Sequence, residues 1–364
     1  MQEMSRRFND DKVVENLYTF FGDAKRDYLP HGVTENEFLE RLNPEELEEI
    51  QKDIAYTMIR RKTFDDAREL KKWQIIIDAT ELDEGNQKKN DYYLSRCYNR
   101  GESNECTKYH RSVLEAKLSL GHNLLCSIAT ETIQNSEEYI SQSEDKVKQD
   151  CESKAFIRLA EKIKKRFPRL PVIITADGLY VTQRVLQICR NNGWDYIIRY
   201  KEGCAATIEQ EYRALPEKEK AGEDIEYQNQ IPFGENDVNL IYYTEKKEQA
   251  DGKIRVTKFA WITNIKITKG NAGKIVLAGR NRWKIENQGF NRQKHWQGNI
   301  EQAYSFHEQA QKNHYLMEQI AGYKINLPFG AGQVTENLTL HRSDVIIILT
   351  REPMTSVHLA AGKM

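Results

Sequence analysis

The sequence has no long apolar run, no paired cysteine motif, no internal repeat and almost no net charge. No stretch approaches the roughly 18 apolar residues of a membrane-spanning helix, and the first residues, MQEMSRRFNDDK, lack the hydrophobic region of a signal peptide. The six cysteines are scattered without a CxxC pair, which is typical of reduced thiols in the cytosol. We therefore expect a cytoplasmic protein without a membrane segment.

Three residues of the zinc-ligand type lie near one another in the chain. Cys97, Cys106 and His110 could supply part of a zinc site, but no fourth ligand accompanies them. The alternative, that they are ordinary core or loop residues, carries more weight.

The formal net charge of −1 gives little support to nucleic-acid binding as an average over the chain. The charges are unevenly distributed, however. Residues Glu35–Asp53 are strongly acidic, whereas Arg158–Arg169 and Gly279–His295 are rich in lysine and arginine. A phosphate-facing surface needs only a local basic stripe. A solvated helix face has the same composition, so both interpretations of these runs stay open.

Acidic residues end two apolar, strand-like runs. Asp78 ends the apolar part of WQIIIDATEL, and Asp177 ends that of PVIITADGLY. A carboxylate at the end of a buried strand is costly unless a charged group meets it there. A third acid, Glu286, lies in the basic, helix-patterned stretch GRNRWKIENQGFNRQKH. Two strand ends and a helix would bring three hard oxygen ligands to one point, which suits Mg²⁺ or Mn²⁺.

The apolar periodicity predicts an α/β fold with a helical region before it. The predicted strands are Trp73–Ala79, Asp91–Cys97, Tyr109–Leu120, His122–Ile133, Val172–Asp177 and Asp195–Tyr200. Helices are predicted at about Glu144–Phe167 and Val181–Asn192. Three antiparallel strands, followed by strands that alternate with helices, are the plan of the ribonuclease H-like fold, a mixed sheet flanked by helices.

A β-rich insertion interrupts this plan. Its predicted elements are a charged helix, about Ala205–Lys220, and two strands, Asp237–Thr244 and Ile254–Thr263, joined by a turn at Asp251-Gly252. A further helix is predicted over Ala272–Lys294, and in it Arg282 and Glu286 share a face. The chain is predicted to divide into a helical N-terminal region that is a candidate DNA-binding or dimer element (1–70), the first part of the catalytic domain (71–202), the insertion (203–270), the helical end of the catalytic domain (271–326) and an atypical tail (327–364).

The stretch around Glu286 resembles the DDE-type transposases of bacterial insertion sequences, in the cut-and-paste group with a β-strand insertion before the catalytic Glu. The pattern RW-x-IEN-x-x-F-N-x-x-K is filled by Arg282, Trp283, Ile285, Glu286, Asn287, Phe290, Asn291 and Lys294. The resemblance implies DNA cleavage and strand transfer at transposon ends, with Asp78, Asp177 and Glu286 as catalytic residues and metal ligands. It also implies two Mg²⁺ ions, with Mn²⁺ as a substitute. The partners that it implies are double-stranded DNA, both terminal inverted repeats and target, and a second copy of the chain in a dimer on nucleoid DNA.

Several residues near Glu286 are candidate DNA contacts. Arg282 can hold a phosphate with its fork of donors, and Trp283 can stack on an extruded base or, alternatively, belong to the core. Arg282 and Glu286 can also form a simple surface ion pair. The remaining candidates for backbone contacts are Asn287, Asn291, Arg292 and Lys294.

The sequence departs from the family pattern at several points. Gly279 stands where a Tyr is usual, three residues before the Arg, and Gln293 stands where a Lys is often found, with Lys294 one place later. The tail after Asn326 lacks helical spacing, and only a short segment precedes Asp78. These features leave three hypotheses open: a DDE transposase, a catalytically defective DNA-binding relic or inhibitor of transposition, and a host nuclease of the same fold.

Overall fold

The computed structural model describes residues 9–15, 30–60, 62, 64–121, 123–141, 148–214, 217–249, 252–302 and 304–326. The helices are α1 (Gly32–Arg41), α2 (Pro44–Arg60), α3 (Glu137–Ser141), α4 (Glu152–Arg166), α5 (Gln183–Asn191), α6 (Ala206–Ala214), α7 (Ala272–Arg280) and α8 (Glu308–Asn326). The strands are β1 (Trp73–Gly85), β2 (Leu94–Tyr98), β3 (Cys106–Ser119), β4 (Leu125–Ile133), β5 (Val172–Ala176), β6 (Asp195–Tyr200), β7 (Glu219–Lys220), β8 (Ile225–Phe233), β9 (Asn236–Glu248) and β10 (Ile254–Thr263). Within the described part of the chain, every helix is too short or too polar to cross a membrane.

The chain forms two compact units, and one of them, comprising Ile59–Glu81 and Arg111–Arg292, contains a large mixed sheet. Its strands follow the order β3-β1-β5-β6-β10-β9-β8-β7, and β4 pairs with β3 outside this path. Strands β1, β5 and β6 are parallel neighbours, whereas β3 and β4 are antiparallel. This order, with helices packed on the sheet, confirms the predicted ribonuclease H-like α/β fold.

Helix α4 shows how sequence pattern becomes packing. Its apolar residues recur every three or four positions, and this stripe is buried, with α4 packing against β4. Its basic residues also have partners within the fold. Arg158 contacts Glu131 and Asp150, each at 2.6 Å, and Lys162 donates to the carbonyl of Thr130 at 2.7 Å. These cations of the basic Arg158–Arg169 stretch therefore attach the helix to its own unit.

Strands β7 to β10 extend the sheet beyond β6, and each pairs antiparallel with its neighbour. Buried side chains of β8, β9 and β10 join those of β5, β6 and α7 in one hydrophobic cluster that includes Trp261 and Tyr227. Two predictions for this segment were incomplete. The charged helix ends at Ala214, before a short strand, and the strand Ile225–Phe233 was not predicted.

The helix predicted over Ala272–Lys294 is not continuous. Helix α7 ends at Arg280, and π-helical stretches follow at Ile285–Phe290 and Gln293–Gln297. Glu286 therefore lies outside α7, in a wider turn of the backbone.

The other unit is built from described residues within Met1–Met58, Leu82–His110 and Gln293–Met364. Helix α8 packs against α1, and buried Asn313 donates to the carbonyls of Leu39 at 2.8 Å and Leu42 at 2.6 Å. These bonds satisfy carbonyl groups at the end of α1 that have no partner in the helix itself. The predicted tail, residues 327–364, lies outside the described residues.

The suggested zinc ligands lie on the hairpin of β2 and β3. His110 pairs with Leu94, four residues along β3 from Cys106, so it stands well away from that thiol. Cys97 and Cys106 are exposed, free thiols.

Candidate active site

Three neighbouring strands bring charged residues into one row. The prediction that Asp78 ends its strand was wrong, because β1 continues to Gly85 and Asp78 lies within it. The parallel register pairs Ile76 with Thr175, and two further steps place Asp78 opposite Asp177. The next register pairs Ala176 with Ile198, and one further step places Arg199 beside Asp177. Residues opposite one another in parallel strands point to the same face of the sheet. Asp78, Asp177 and Arg199 therefore share one face at the carboxyl ends of β5 and β6.

Asp78 is the most electrostatically perturbed member of this row. Burial raises the pKa of its carboxyl to about 7, against the lowering effect of Arg282, whose guanidinium lies 3.1 Å from Oδ2. The negative charges of Asp177, Glu152 and Glu286 raise the pKa of Asp78 further. Asp177, Glu152 and Glu286, from separate parts of the chain, thus lie within electrostatic range of Asp78, and Arg282 pairs with it.

Asp177 is fixed by the backbone that follows it. Its Oδ1 accepts a hydrogen bond from the amide of Leu179 at 2.8 Å, and it caps the 3₁₀ turn Gly178–Tyr180. A Cβ at Gly178 would lie 3.0 Å from Sγ of Cys204, so a larger residue would press on its neighbour there. Asp177 is therefore a turn residue, and the turn points its carboxylate in a defined direction.

A buried network of amides connects the strands to the segment that carries Arg282 and Glu286. The Nε2 of Gln74 donates to Oγ1 of Thr175 at 2.8 Å and to the carbonyl of Ala278 at 2.6 Å. The Nδ2 of Asn281 donates to Oε1 of Gln74 at 3.0 Å. Gln74 is fully buried, and buried amides without partners are costly, so this network fixes α7 against β1 and β5.

Glu152 was not selected from the sequence as a site residue. It is the first residue of α4, and burial together with the charge of Asp177 raises the pKa of its carboxyl, against a hydrogen bond from Tyr180. In the sequence it stands among the many Glu and Lys residues of a helical stretch, where nothing local separates it from a solvated residue.

Arg199 was also missed. Its guanidinium lies over the rings of Phe259 and Trp261, at 4.8 and 5.3 Å from their centroids, and donates to the carbonyl of Ala260 at 3.2 Å. Burial and the nearby charge of Arg282 lower its pKa. Among the described residues no ion pair joins Arg199 to a carboxylate, whereas Arg282 pairs with Asp78.

The predicted DNA contacts lie in varied surroundings. Trp283 is 52% exposed, so it is not a core residue, and Arg282 lies 5.8 Å from its ring centroid. Asn287 and Arg292 are exposed and Asn291 is half-buried. Lys294, in the other unit, pairs with Glu301 at 2.8 Å.

The structure explains the Gly at position 279. A Cβ there would lie 2.5 Å from the indole nitrogen of Trp261, which is buried. The ring of Trp261 covers this position, so a Tyr side chain has no room to start from it.

The donors available at the site suit a hard divalent cation. Asp78, Asp177 and Glu286 offer carboxylate oxygens, and their mutual repulsion is what a bound cation would relieve. Among the described residues, however, no three His, Cys, Asp or Glu side chains are gathered closely enough to form a ready metal site.

A mixed sheet with acids at paired positions of two parallel strands places the protein among the ribonuclease H-like folds. Residues 146–315, somewhat less than half of the chain, match the family model of the transposase DDE domain. This match confirms the resemblance of the chain to DDE-type insertion-sequence transposases. The matched region includes Asp177 and Glu286, whereas Asp78 precedes it. No curated protein matches the sequence.

Proposed function

We propose that this chain is a DNA transposase that catalyses metal-dependent phosphodiester hydrolysis and strand transfer at transposon ends. The observation that carries the proposal is that Asp177 and Glu286, far from Asp78 in the sequence, both lie within electrostatic range of it. Asp78 and Asp177 also occupy opposite positions on neighbouring parallel strands. The match to a transposase DDE domain supports the same reaction class.

The three carboxylates would hold two Mg²⁺ ions, or Mn²⁺ in their place. When bound, such ions activate the attacking oxygen and stabilise the leaving oxygen of an in-line displacement. The protein contributes position: Asp78 from a strand within the sheet, Asp177 from a capped turn, and Glu286 from the segment fixed through Asn281. The same site can first use water and then a freed 3′ hydroxyl, because only the nucleophile changes.

The cations beside the carboxylates would bind the DNA backbone. Burial and the nearby charge of Arg282 lower the pKa of Arg199, and a phosphate between the two guanidinium groups would relieve their repulsion. Trp283 offers an exposed ring for base stacking. The other proposed contacts are Asn287, Asn291, Arg292 and Lys294. We propose duplex DNA as substrate, with terminal inverted repeats and target DNA bound by a dimer at the nucleoid in the cytoplasm.

The test is nicking of a supercoiled plasmid that carries the coding region with its flanking DNA, in Mg²⁺ and separately in Mn²⁺. Asp78→Ala, Asp177→Ala and Glu286→Ala are each expected to lower the rate by about 100-fold or more, because the metals supply several kcal/mol of transition-state stabilisation. Glu161→Ala, an exposed acid of α4, is the matched control and should nick at the wild-type rate.

The cut positions distinguish the alternatives. Cuts confined to the ends of flanking inverted repeats support transposition, whereas cuts spread over the plasmid favour a nuclease. Nicking that survives all three substitutions contradicts the proposed site.

A further inference from the structure

Two residues of α4, one turn apart, contact the side chain of Tyr180: one at its hydroxyl and one at its ring. Oε1 of Glu152 accepts a hydrogen bond from the Tyr180 hydroxyl. The ring of Phe156, one turn further along α4, packs against the Tyr180 ring with centroids 5.3 Å apart and planes inclined by 60°. Tyr180 is 2% exposed, so its hydroxyl depends on the partner that the fold provides.

Tyr180 is the last residue of the turn that Asp177 caps. Its backbone amide donates to the carbonyl of Asp177 at 3.3 Å, while the Asp177 carboxylate accepts from Leu179 within the same turn. The buried ring of Tyr180, held at its hydroxyl and its face, is thus only three positions along the chain from a proposed metal ligand. Movement of Tyr180 would rotate the turn and with it the carboxylate.

We propose that Glu152 is a positioning residue that acts on Asp177 through the Tyr180 hydrogen bond. This inference rests on the proposed function, because it concerns the placement of one of the proposed metal ligands. Loss of the bond would leave a buried hydroxyl without its acceptor and allow the turn to shift. Outer contacts of this kind typically change metal affinity by about 10–100-fold when removed.

The variants separate the hydrogen bond from the charge. Glu152→Gln keeps an acceptor for Tyr180 and removes the negative charge, whereas Glu152→Ala removes both. Tyr180→Phe removes the hydroxyl and keeps the buried ring, so it provides a variant that folds even where a truncation does not. Glu161→Gln, an exposed acid on the same helix, is the matched control.

The main measurement is Mn²⁺ binding to the full chain by calorimetry without DNA, and the second is the Mn²⁺ concentration for half-maximal plasmid nicking. We expect Glu152→Ala and Tyr180→Phe each to weaken Mn²⁺ binding at least tenfold, and the double variant to be no weaker than either. Glu152→Gln should retain affinity within about threefold of wild type, since it keeps the acceptor.

Two results overturn the inference. One is that Glu152→Gln binds Mn²⁺ as weakly as Glu152→Ala while Tyr180→Phe binds like wild type, because the charge then acts directly. The other is wild-type affinity in every variant. The expected binding pattern without any nicking would support the positioning role and contradict the proposed function. Absence of Mn²⁺ binding by the wild-type chain would overturn both.

Discussion

At the scale of single residues, Asp78 combines burial, a cationic partner and three like charges. Its carboxyl has a pKa of about 7 in the folded chain, above its ordinary value of 3.8. Between these two values the folded state retains a proton that the unfolded state has released. The free energy of unfolding therefore falls as pH rises through this window, and the loss is complete above about pH 7.

Asp78→Asn should remove this pH-dependent loss. At about pH 8 the variant is expected to be more stable than wild type, by at most about 4 kcal/mol, because one pKa unit corresponds to about 1.4 kcal/mol. At about pH 4 the two proteins should be equally stable. Urea unfolding in the presence of EDTA measures the difference. Parallel pH profiles for the two proteins would show that the pKa of Asp78 is ordinary.

The sequence identified some of the residues of the candidate site and missed others for a physical reason. Asp78 and Asp177 stand out locally, because each interrupts an apolar run. Arg199 has no such signal, since its place beside Asp177 follows from the pairing of two strands. Glu152 becomes a candidate site residue only through its hydrogen bond with Tyr180, which lies 28 positions along the chain. Side-chain partners at such separations cannot be derived from periodicity.

At the scale of elements, the segment from α7 to Lys294 departs most from its predicted form. A single helix was predicted, yet α7 ends at Arg280 and wider turns follow. Asn281, the residue after α7, directs its amide to buried Gln74. A tertiary contact therefore competes with continuation of the helix. Strands β5 and β6 were predicted well, because each is apolar and bounded by turn residues. Strand β1 was predicted to end at Ala79 but continues to Gly85.

Two glycines of α7 allow a matched test of its packing. Gly279→Ala should destabilise the protein by about 1–3 kcal/mol, because its Cβ would lie 2.5 Å from the buried Trp261 ring. Gly273→Ala in the same helix meets no atom within 4 Å and should stabilise it by up to about 1 kcal/mol. Thermal unfolding of both variants compares them. Equal stability would mean that Trp261 moves aside without cost.

At the scale of the whole molecule, a net charge of −1 must be reconciled with the proposed DNA substrate. The basic residues named above in α4 are engaged within the fold, whereas Arg199 and Arg282 lie beside the candidate site. The average composition therefore gives no sign of the arginines beside the candidate site. The basic run in α4, by contrast, suggests an exposed positive surface, although its named cations bind groups within the fold. The fold class could be predicted from the order of strands, while the proposed DNA-binding surface depends on which cations the fold places beside the candidate site.

Arg199→Gln tests whether this local charge binds phosphate. Fluorescence anisotropy with duplex DNA in EDTA should show about tenfold weaker binding at low salt. The slope of log affinity against log salt should decrease by about one, as expected for one lost phosphate contact. Arg169→Gln is the control, because this exposed residue precedes β5, at the end of the strand opposite Asp177. Equal salt slopes for the two variants would exclude Arg199 as a phosphate contact.

The wide spacing of the three proposed catalytic carboxylates along the chain has a consequence during synthesis. At about 5–20 residues per second, roughly 10–40 s separate the emergence of Asp78 from that of Glu286. Strand β1 is synthesised before its parallel neighbour β5, so the two can pair only after β5 has been made. The hydrogen bond from Asn281 to Gln74 can form only later, once Asn281 has been synthesised. A growing chain therefore holds an incomplete site for most of its translation, and any cutting of DNA begins only after nearly all of the domain has been made.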